Sequence, residues 1–342
     1  MDQGTLDEEN KNYQTHGMWV IYTFKYDIVT MEEAESLIQS YFIRHTKKLA
    51  ISPMAILELC SQDLIFIHFP DCKKDDPTAK DNESLESKDY KIPNAKSNMK
   101  IFNDLCEKGG IVWAEYDGEN KIKIGFVPPG SKIKLNKSYF WENEERKNKV
   151  AVIKTIQLHN VIKIEPKELM SLGVARPIQR TLGHWKKIKN KLHCIYNNKP
   201  LDSDFSSLIP EEQEVVCQEF LRYQKLFPDI PKLNYLLLPP GRTMKDIDIY
   251  GLSNENKKIF AQVTYLEKSE TKKFKNKVAK LKKYLSTSND NYLLFFCKCP
   301  ELHKDGNILF IPISVVENWL KQPGQEYYLK TVYSTNNRNS HR

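Results

Sequence analysis

Residues 237–265 read LLPPGRTMKDIDIYGLSNENKKIFAQVTY. Two extended stretches meet across a tight turn here. MKDIDIYGL (244–252) and KKIFAQVTYLE (257–267) are rich in β-branched and aromatic residues and are joined through SNEN. They are expected to lie side by side as strands. Side chains alternate along a strand, which places Asp246 and Asp248 on one face. Gln262 is a polar acceptor inside the apolar run IFAQVTY of the next strand. A carboxylate on one strand and an oxygen ligand on its neighbour can hold a divalent cation such as Mg²⁺ or Mn²⁺. Such an ion polarises a phosphodiester and activates a water to attack it.

The elements on either side extend this hairpin into a larger unit. KLNYLLLPPG (232–241) reads as a strand running into a turn. Upstream, residues 210–227 read as a helix, with Pro210 at its start and acids in its first turn. Its apolar stripe is Val216, Phe220, Tyr223 and Phe227, and Glu219 shares that stripe, so Glu219 is expected to approach the carboxylates. Downstream come a helix (269–285), two strands (291–299 and 307–313) and a helix (314–322). The order α-β-β-β-α-β-β-α describes a mixed sheet with flanking helices. Cys297 and Cys299 fall inside the apolar run NYLLFFCKCP and read as small strand residues rather than zinc ligands, which would need partners at metal spacing.

The stretch 237–265 with its flanking helices resembles the PD-(D/E)XK nuclease superfamily, in particular its Mrr-like, restriction-endonuclease-like branch. The resemblance covers about the last 140 residues of the chain. It implies that Asp248 and Gln262 bind the metal, with the backbone carbonyl of Val263 as a third ligand and Asp246 and Glu219 as further candidates. Family members carry a lysine two positions after the third-strand acid or amide. That position is Thr264 here, a departure from the pattern. The missing ammonium would then come from Lys258, Lys268, Lys272 or Lys273, or cleavage has been lost and binding kept.

The formal net charge is +8, distributed unevenly: −6 over residues 1–97, +10 over 98–200 and +4 over 201–342. A basic middle segment suits a polyanion. Within it, Trp113, Tyr116, Phe126, Tyr139, Phe140, Trp141 and Trp185 are interleaved with lysines, a composition that suits base stacking as well as an ordinary core. DNA contacts are expected from Lys272, Lys273 and Lys275 on the helix after the third strand, and from Arg176, Arg180 and Trp185.

Four segments are expected. Residues 1–75 form an N-terminal α+β region with strands at 18–26 and 61–69 and a helix at 31–48. Residues 76–97 are a polar, charged linker or loop. Residues 98–200 are a basic, β-rich recognition domain, opening with a short glycine-closed helix and continuing as hairpins of a twisted sheet or small β-barrel. Residues 201–342 are the nuclease domain. The fold class is thus α+β or α/β, with a restriction-endonuclease-like mixed sheet at the C-terminal end. No apolar run reaches membrane-spanning length, the N-terminus carries no secretory pattern, and the seven scattered cysteines are no disulfide framework, so a cytoplasmic protein without a membrane partner is expected. No Gly-x4-Gly-Lys-Ser/Thr loop occurs, so any ATPase would be a partner subunit.

The function expected is metal-dependent endonucleolytic hydrolysis of DNA in restriction or antiviral defence, by a homodimer that cuts both strands. An RNA-directed nuclease is a third reading that differs only in substrate. The alternative is a catalytically degenerate nuclease fold that binds DNA or a protein partner.

Overall fold

A computed structural model of the chain describes residues 38–69, 81–142, 149–165, 181–238, 246–267, 271–285 and 291–333. The expected strand at 18–26 lies outside these residues. In chain order the first half holds β1 (Ser40–His45), α1 (Pro53–Ser61), β2 (Leu64–Ile67), α2 (Pro93–Lys108), β3 (Gly110–Tyr116), β4 (Ile122–Val127), β5 (Lys134–Phe140), β6 (Val150–Gln157), β7 (His159–Ile164), β8 (Leu182–His184) and α3 (Lys189–Tyr196). The second half holds α4 (Pro210–Tyr223), β9 (Leu233–Leu238), β10 (Ile249–Ser253), β11 (Lys258–Glu267), α5 (Thr271–Lys282), β12 (Asn291–Lys298), β13 (His303–Asp305), β14 (Ile308–Pro312), α6 (Ile313–Leu320) and α7 (Glu326–Val332).

The first half builds two open sheets, ordered β7-β4-β3-β1-β8 and β2-β6-β5. Among the described residues these strands do not close into a barrel. The extended run 150–165 divides at Leu158, giving β6 to one sheet and β7 to the other. Three expectations change here. Residues 40–45 are a strand, not the end of a helix. β1 runs parallel to β3 and antiparallel to β8, with Tyr41 and Ile43 in one core and Phe42 against Trp185 on the opposite side. A short apolar run buried on both faces has no period that separates helix from strand, and sheet pairing decides it. The polar stretch after residue 80 is not a free loop. Asp81 is buried, with its Oδ2 2.8 Å from His68 Nε2 and accepting from Val152 N at 2.7 Å and Trp141 Nε1 at 3.2 Å. Finally, α2 begins at Pro93, earlier than expected, and ends at Gly109, whose φ of +68° lets the chain turn into β3.

The second half is one six-stranded mixed sheet, ordered β13-β14-β12-β11-β10-β9. β11, β12 and β14 are mutually parallel, while β9, β10 and β13 run antiparallel to their neighbours. Helices α4 and α6 pack on one face, burying Val216, Phe220 and Val316 against Ala261, Val263 and Phe296. Helix α5 covers the other with Phe274 and Leu281 against Phe260, Phe295 and Phe310. The expected order of helices and strands is present, with β13 and α7 in addition. At Gly251 a Cβ would stand 2.5 Å from the Tyr235 carbonyl oxygen, so only glycine lets β9 approach β10 this closely. Cys297 is a buried β12 residue, and no helix among the described residues is long and apolar enough to cross a membrane.

Two buried polar contacts hold the layers together. Lys191 of α3 and Glu212 of α4, both under 5 % exposed, pair at 2.5 Å, and Glu212 also accepts from Ile209 N at 3.2 Å to cap α4. Breaking such a pair by removing one partner typically costs about 3–5 kcal/mol. In the first half, His45 of β1 accepts from Phe66 N of β2 through Nε2 at 3.0 Å, with Nδ1 2.9 Å from the Glu115 carbonyl. The first contact requires a bare Nε2, so the ring is neutral with its proton on Nδ1.

Burial drives the His45 pKa down from 6.5 to about 3, against the raising effect of its two backbone hydrogen bonds. Between those values the unfolded chain takes up a proton that the folded chain does not. Stability is therefore full above pH 6.5 and is lost as pH falls toward 3. The thermal midpoint of the wild type should fall more steeply across that range than the midpoint of His45→Gln, which keeps a donor and an acceptor. Parallel slopes would rule out His45 as the acid-labile group.

Candidate active site

β11 is paired with β10 as far as Ala261, which lies opposite Ile249, and with β12 as far as Val263, which lies opposite Phe296. Beyond Val263 the register with β12 shifts before pairing resumes at Glu267 and Lys298. β10 departs at the same level. Asp248 N donates to the Ala261 carbonyl at 3.0 Å although Ile249 is the residue paired with Ala261, so two consecutive residues share one partner, as in a β-bulge. The Asp248 side chain then takes over the ladder, its Oδ2 accepting from Val263 N at 2.8 Å. Burial raises the Asp248 pKa, opposed by that N–H and by the charge of Lys277.

Helix α4 brings a second carboxylate to this point. Glu214 is held up to about pKa 8, chiefly by burial and then by the charges of Asp248 and Glu211, with Lys277 and Lys187 pulling the other way. Its Oε2 is buried without a hydrogen-bond partner. Cys217, one turn further along α4, feels the same two carboxylates, Asp248 and Glu214. From α5, the Lys277 ammonium donates to the Val263 carbonyl at 3.3 Å. Asp248, Glu214 and Lys277 thus act on one another around Val263, and Glu211 and Lys187, paired at 2.5 Å, adjoin them.

A cleft of about 480 Å³ opens beside this group, lined among others by Lys186, Lys187, Lys189, Thr264, Tyr265 and Lys277. Among the described residues, no group of three or more His, Cys, Asp or Glu side chains is arranged to hold a metal. The oxygen donors that do converge are two carboxylates and a backbone carbonyl.

The residues singled out in the sequence separate into three sets. Asp248 and Val263 are at the centre. Asp246 and Gln262 are close to each other but belong to the side of the sheet covered by α5. Lys280 pairs with Asp246 at 2.6 Å, and Gln262 Nε2 donates to the Asp246 carbonyl at 2.8 Å. Gln262 Oε1 is buried without a partner. Asp246 and Asp248 do not share a face because both precede the start of β10 at Ile249, where the two-residue alternation of a strand does not hold. Thr264 is buried, its hydroxyl accepting from Leu266 N at 3.4 Å.

The third set lies apart. Glu219 is engaged with Gln218 at 3.3 Å and Arg222 at 3.8 Å, and its charge acts on Tyr328. The stripe that placed it inward was misphased. Tyr223 is 60 % exposed, and the buried side of α4 runs through Gln213, Val216, Cys217, Phe220 and Leu221. Trp185 is 3 % exposed and packs edge-on against Trp113 at 5.4 Å and Phe42 at 5.3 Å, which rules out its stacking on a base. Lys272, Lys273 and Lys275 are exposed on α5, as is Lys258 at the start of β11. Arg176, Arg180 and Lys268 lie outside the described residues. Glu214 and Lys277 were not singled out by the sequence. Each is one of several like residues on its helix, and only the packing of α4 and α5 against β11 distinguishes them.

No protein-family model matches the chain, and no curated protein matches it. Among solved structures, a repair endonuclease from Pyrococcus abyssi is similar over 76 % of this chain and 96 % of that one, at 12 % identity and a TM-score of 0.15. A likeness at that score supports no conclusion about fold or function.

Half-buried beside Asp248, Glu214 costs stability once it is ionised, chiefly through desolvation and then through the charge of Asp248. Glu214 has a folded pKa above its ordinary 4.5, so its contribution to stability is lost as pH rises from there toward about 8. Glu214→Gln removes this term. In EDTA, its melting temperature should overtake the wild type's by a few degrees as pH climbs through that window. A variant that tracks the wild type at every pH would show that Glu214 does not sit in a charge-repelling site.

Proposed function

We propose that the chain is a metal-dependent nuclease, with its site at Asp248, Glu214, Val263 and Lys277. The observation that carries this reading is a pair of half-buried carboxylates, the charge of Asp248 helping to raise the pKa of Glu214, placed where β10 and β12 leave β11, beside a lysine-lined cleft. Neither carboxylate lines that cleft, but strongly perturbed carboxylates beside one are candidates for a functional site. The donor set fits a hard divalent cation: the Asp248 and Glu214 carboxylates and the Val263 carbonyl are all oxygens, and Glu214 Oε2 is buried and unpartnered. Mg²⁺ or Mn²⁺, when bound there, would supply Lewis-acid charge to a phosphoryl oxygen and make water a better nucleophile at neutral pH.

The chain's own residues do the rest. Val263 N–H fixes the rotamer of Asp248. Glu214 approaches from α4, so the two carboxylates are positioned by separate elements of secondary structure. Lys277 offers the ammonium that the resemblance would place at Thr264, and a cation held there can offset negative charge building on a phosphate oxygen. Hydrolysis of nucleic-acid phosphodiesters is the chemistry that such a set of groups serves best. DNA is the first substrate to test and RNA the second. Restriction or defence, a homodimer and a partner ATPase remain extensions of the same reading.

A second reading has its own support. On the α4 side of the sheet, β11 presents Ala261 and Val263 where a nuclease would place a side-chain ligand, and the Lys277 ammonium rests on the carbonyl that would bind the metal. A chain of this kind would bind nucleic acid without cutting it.

Plasmid DNA incubated with Mg²⁺ or Mn²⁺ separates the two. The wild type should cut, while Asp248→Ala, Glu214→Gln and Lys277→Met should each lose about 100-fold or more in rate, with folding checked by circular dichroism. DNA that is shifted on a gel but never cut, with either metal, would move the binding reading ahead.

A further inference from the structure

The basic cleft draws its cations from two directions, and the more numerous set comes from the first half of the chain. A 3-10 turn at Lys186–Ile188 runs directly into α3. Every third residue of this stretch is an anchor. Trp185 is packed between Phe42 and Trp113, Ile188 is fully buried, and Lys191 is locked to Glu212. Side chains three apart stack on one side of such a turn, so anchoring 185, 188 and 191 directs 186, 187 and 189 the other way. Lys186, Lys187 and Lys189 line the cleft, and Lys191, although paired with Glu212, borders it as well. Asp248 and Glu214 do not line the cleft themselves, but Lys187 and Lys277 do, and both act on Glu214.

The lining is made for a backbone rather than for bases. Ammonium groups are point charges suited to phosphate oxygens and carry no base code. Tyr265 is the aromatic side chain of the lining, and its ring is already engaged. Lys298 stands over it at 3.9 Å, and Phe205 stacks on it at 6.2 Å. Of the exposed lysines of α5, Lys272 and Lys275 are turned elsewhere, roughly 140–160° around the helix from Lys277, and Lys273, roughly 40° away, does not line the cleft.

We propose that this cleft is the nucleic-acid track of the protein: a phosphodiester backbone is gripped by Lys186, Lys187 and Lys189, independently of sequence, and led to Asp248 and Glu214. This rests on the nucleic-acid reading above and assigns its substrate grip to the 185–191 segment instead of the α5 lysines or Trp185.

The test measures binding rather than cutting. Fluorescence anisotropy of labelled DNA oligonucleotides, in EDTA and over a salt series, compares the full chain with the triple variant Lys186→Ala, Lys187→Ala, Lys189→Ala and with Lys272→Ala, Lys275→Ala. The triple variant should bind about tenfold or more weakly, and its log–log salt slope should be shallower by about 2, as expected when two to three phosphate contacts are lost. The α5 variant should stay within about twofold of wild type, and two unrelated sequences should respond alike. Wild-type affinity in the triple variant, a loss confined to the α5 variant, a strong sequence preference in the cleft-dependent term, or no DNA binding by the wild type would each overturn the proposal. Lys186, Lys187, Lys272 and Lys275 are exposed and Lys189 partly so, and the melting temperature of each variant serves as the folding control. Lysine-dependent binding without any metal-dependent cutting would leave this track standing and remove the catalytic reading. Cutting that is indifferent to the triple variant would do the reverse.

Discussion

The hydrogen bond from Val263 N to the Asp248 carboxylate is the hinge of the second half of the molecule. A backbone N–H at the centre of a buried sheet must find an acceptor. β10 withdraws from β11 at this level, and the Asp248 side chain replaces the carbonyl that the departing strand no longer offers. One contact therefore closes the sheet and fixes a carboxylate at its opening. The same burial that makes the bond necessary raises the cost of charging Asp248, and with it the cost of charging Glu214 on the facing helix. Structure and reactivity are two consequences of one desolvated corner.

The two halves of the described chain meet near that corner. Lys191 and Glu212 are both buried, and Glu212 also caps α4, so the ion pair fixes the start of the helix that carries Glu211 and Glu214. The segment just before it sets Trp185 and Ile188 into the first half's packing and leaves its other lysines at the cleft. A basic composition over residues 98–200 thus becomes a local positive wall, because three anchors leave the intervening ammonium groups facing one way. The aromatics of the same segment went mostly inward. Trp113, Tyr116, Phe126, Trp141 and Trp185 are buried, while Phe140 remains exposed. Their apolar area is worth more in a core than on a surface.

Buried polar groups mark the first half as well. His45 joins the two sheets, Asp81 collects His68, Trp141 and the Val152 N–H, and Lys123 reaches the Cys60 carbonyl and Asp63. Lys154, also buried, has its pKa lowered to about 8, chiefly by desolvation. Asp81 comes from a polar stretch whose composition alone suggests a loop, whereas His45, Lys123 and Lys154 are set within strands. Such side chains bring residues distant in sequence into fixed register, which apolar contacts do less selectively.

By itself, the sequence determined what depends on neighbours along the chain. Alternation and β-branched content disclosed β10, β11, β12 and β14. Capping and periodicity disclosed α4, α5 and α6, and their order gave the mixed sheet between helices. The carboxylate at 248 was legible for the same reason, as a charge set in an apolar strand. What the tertiary structure alone decided is everything that depends on how one element lies on another. Asp246 and Asp248 went to different faces because both lie ahead of β10, outside the alternation of the strand. The phase of α4 put Glu214 in the site and Glu219 outside it, because the helix buries Cys217 and Leu221 where the sequence pattern favours Tyr223. Lys277 became the site's ammonium because α5 lays that one lysine, among many equivalent ones, beside the Val263 carbonyl. Local sequence sets a residue's chemistry and its periodicity, whereas its partners are chosen by packing between elements far apart in the chain.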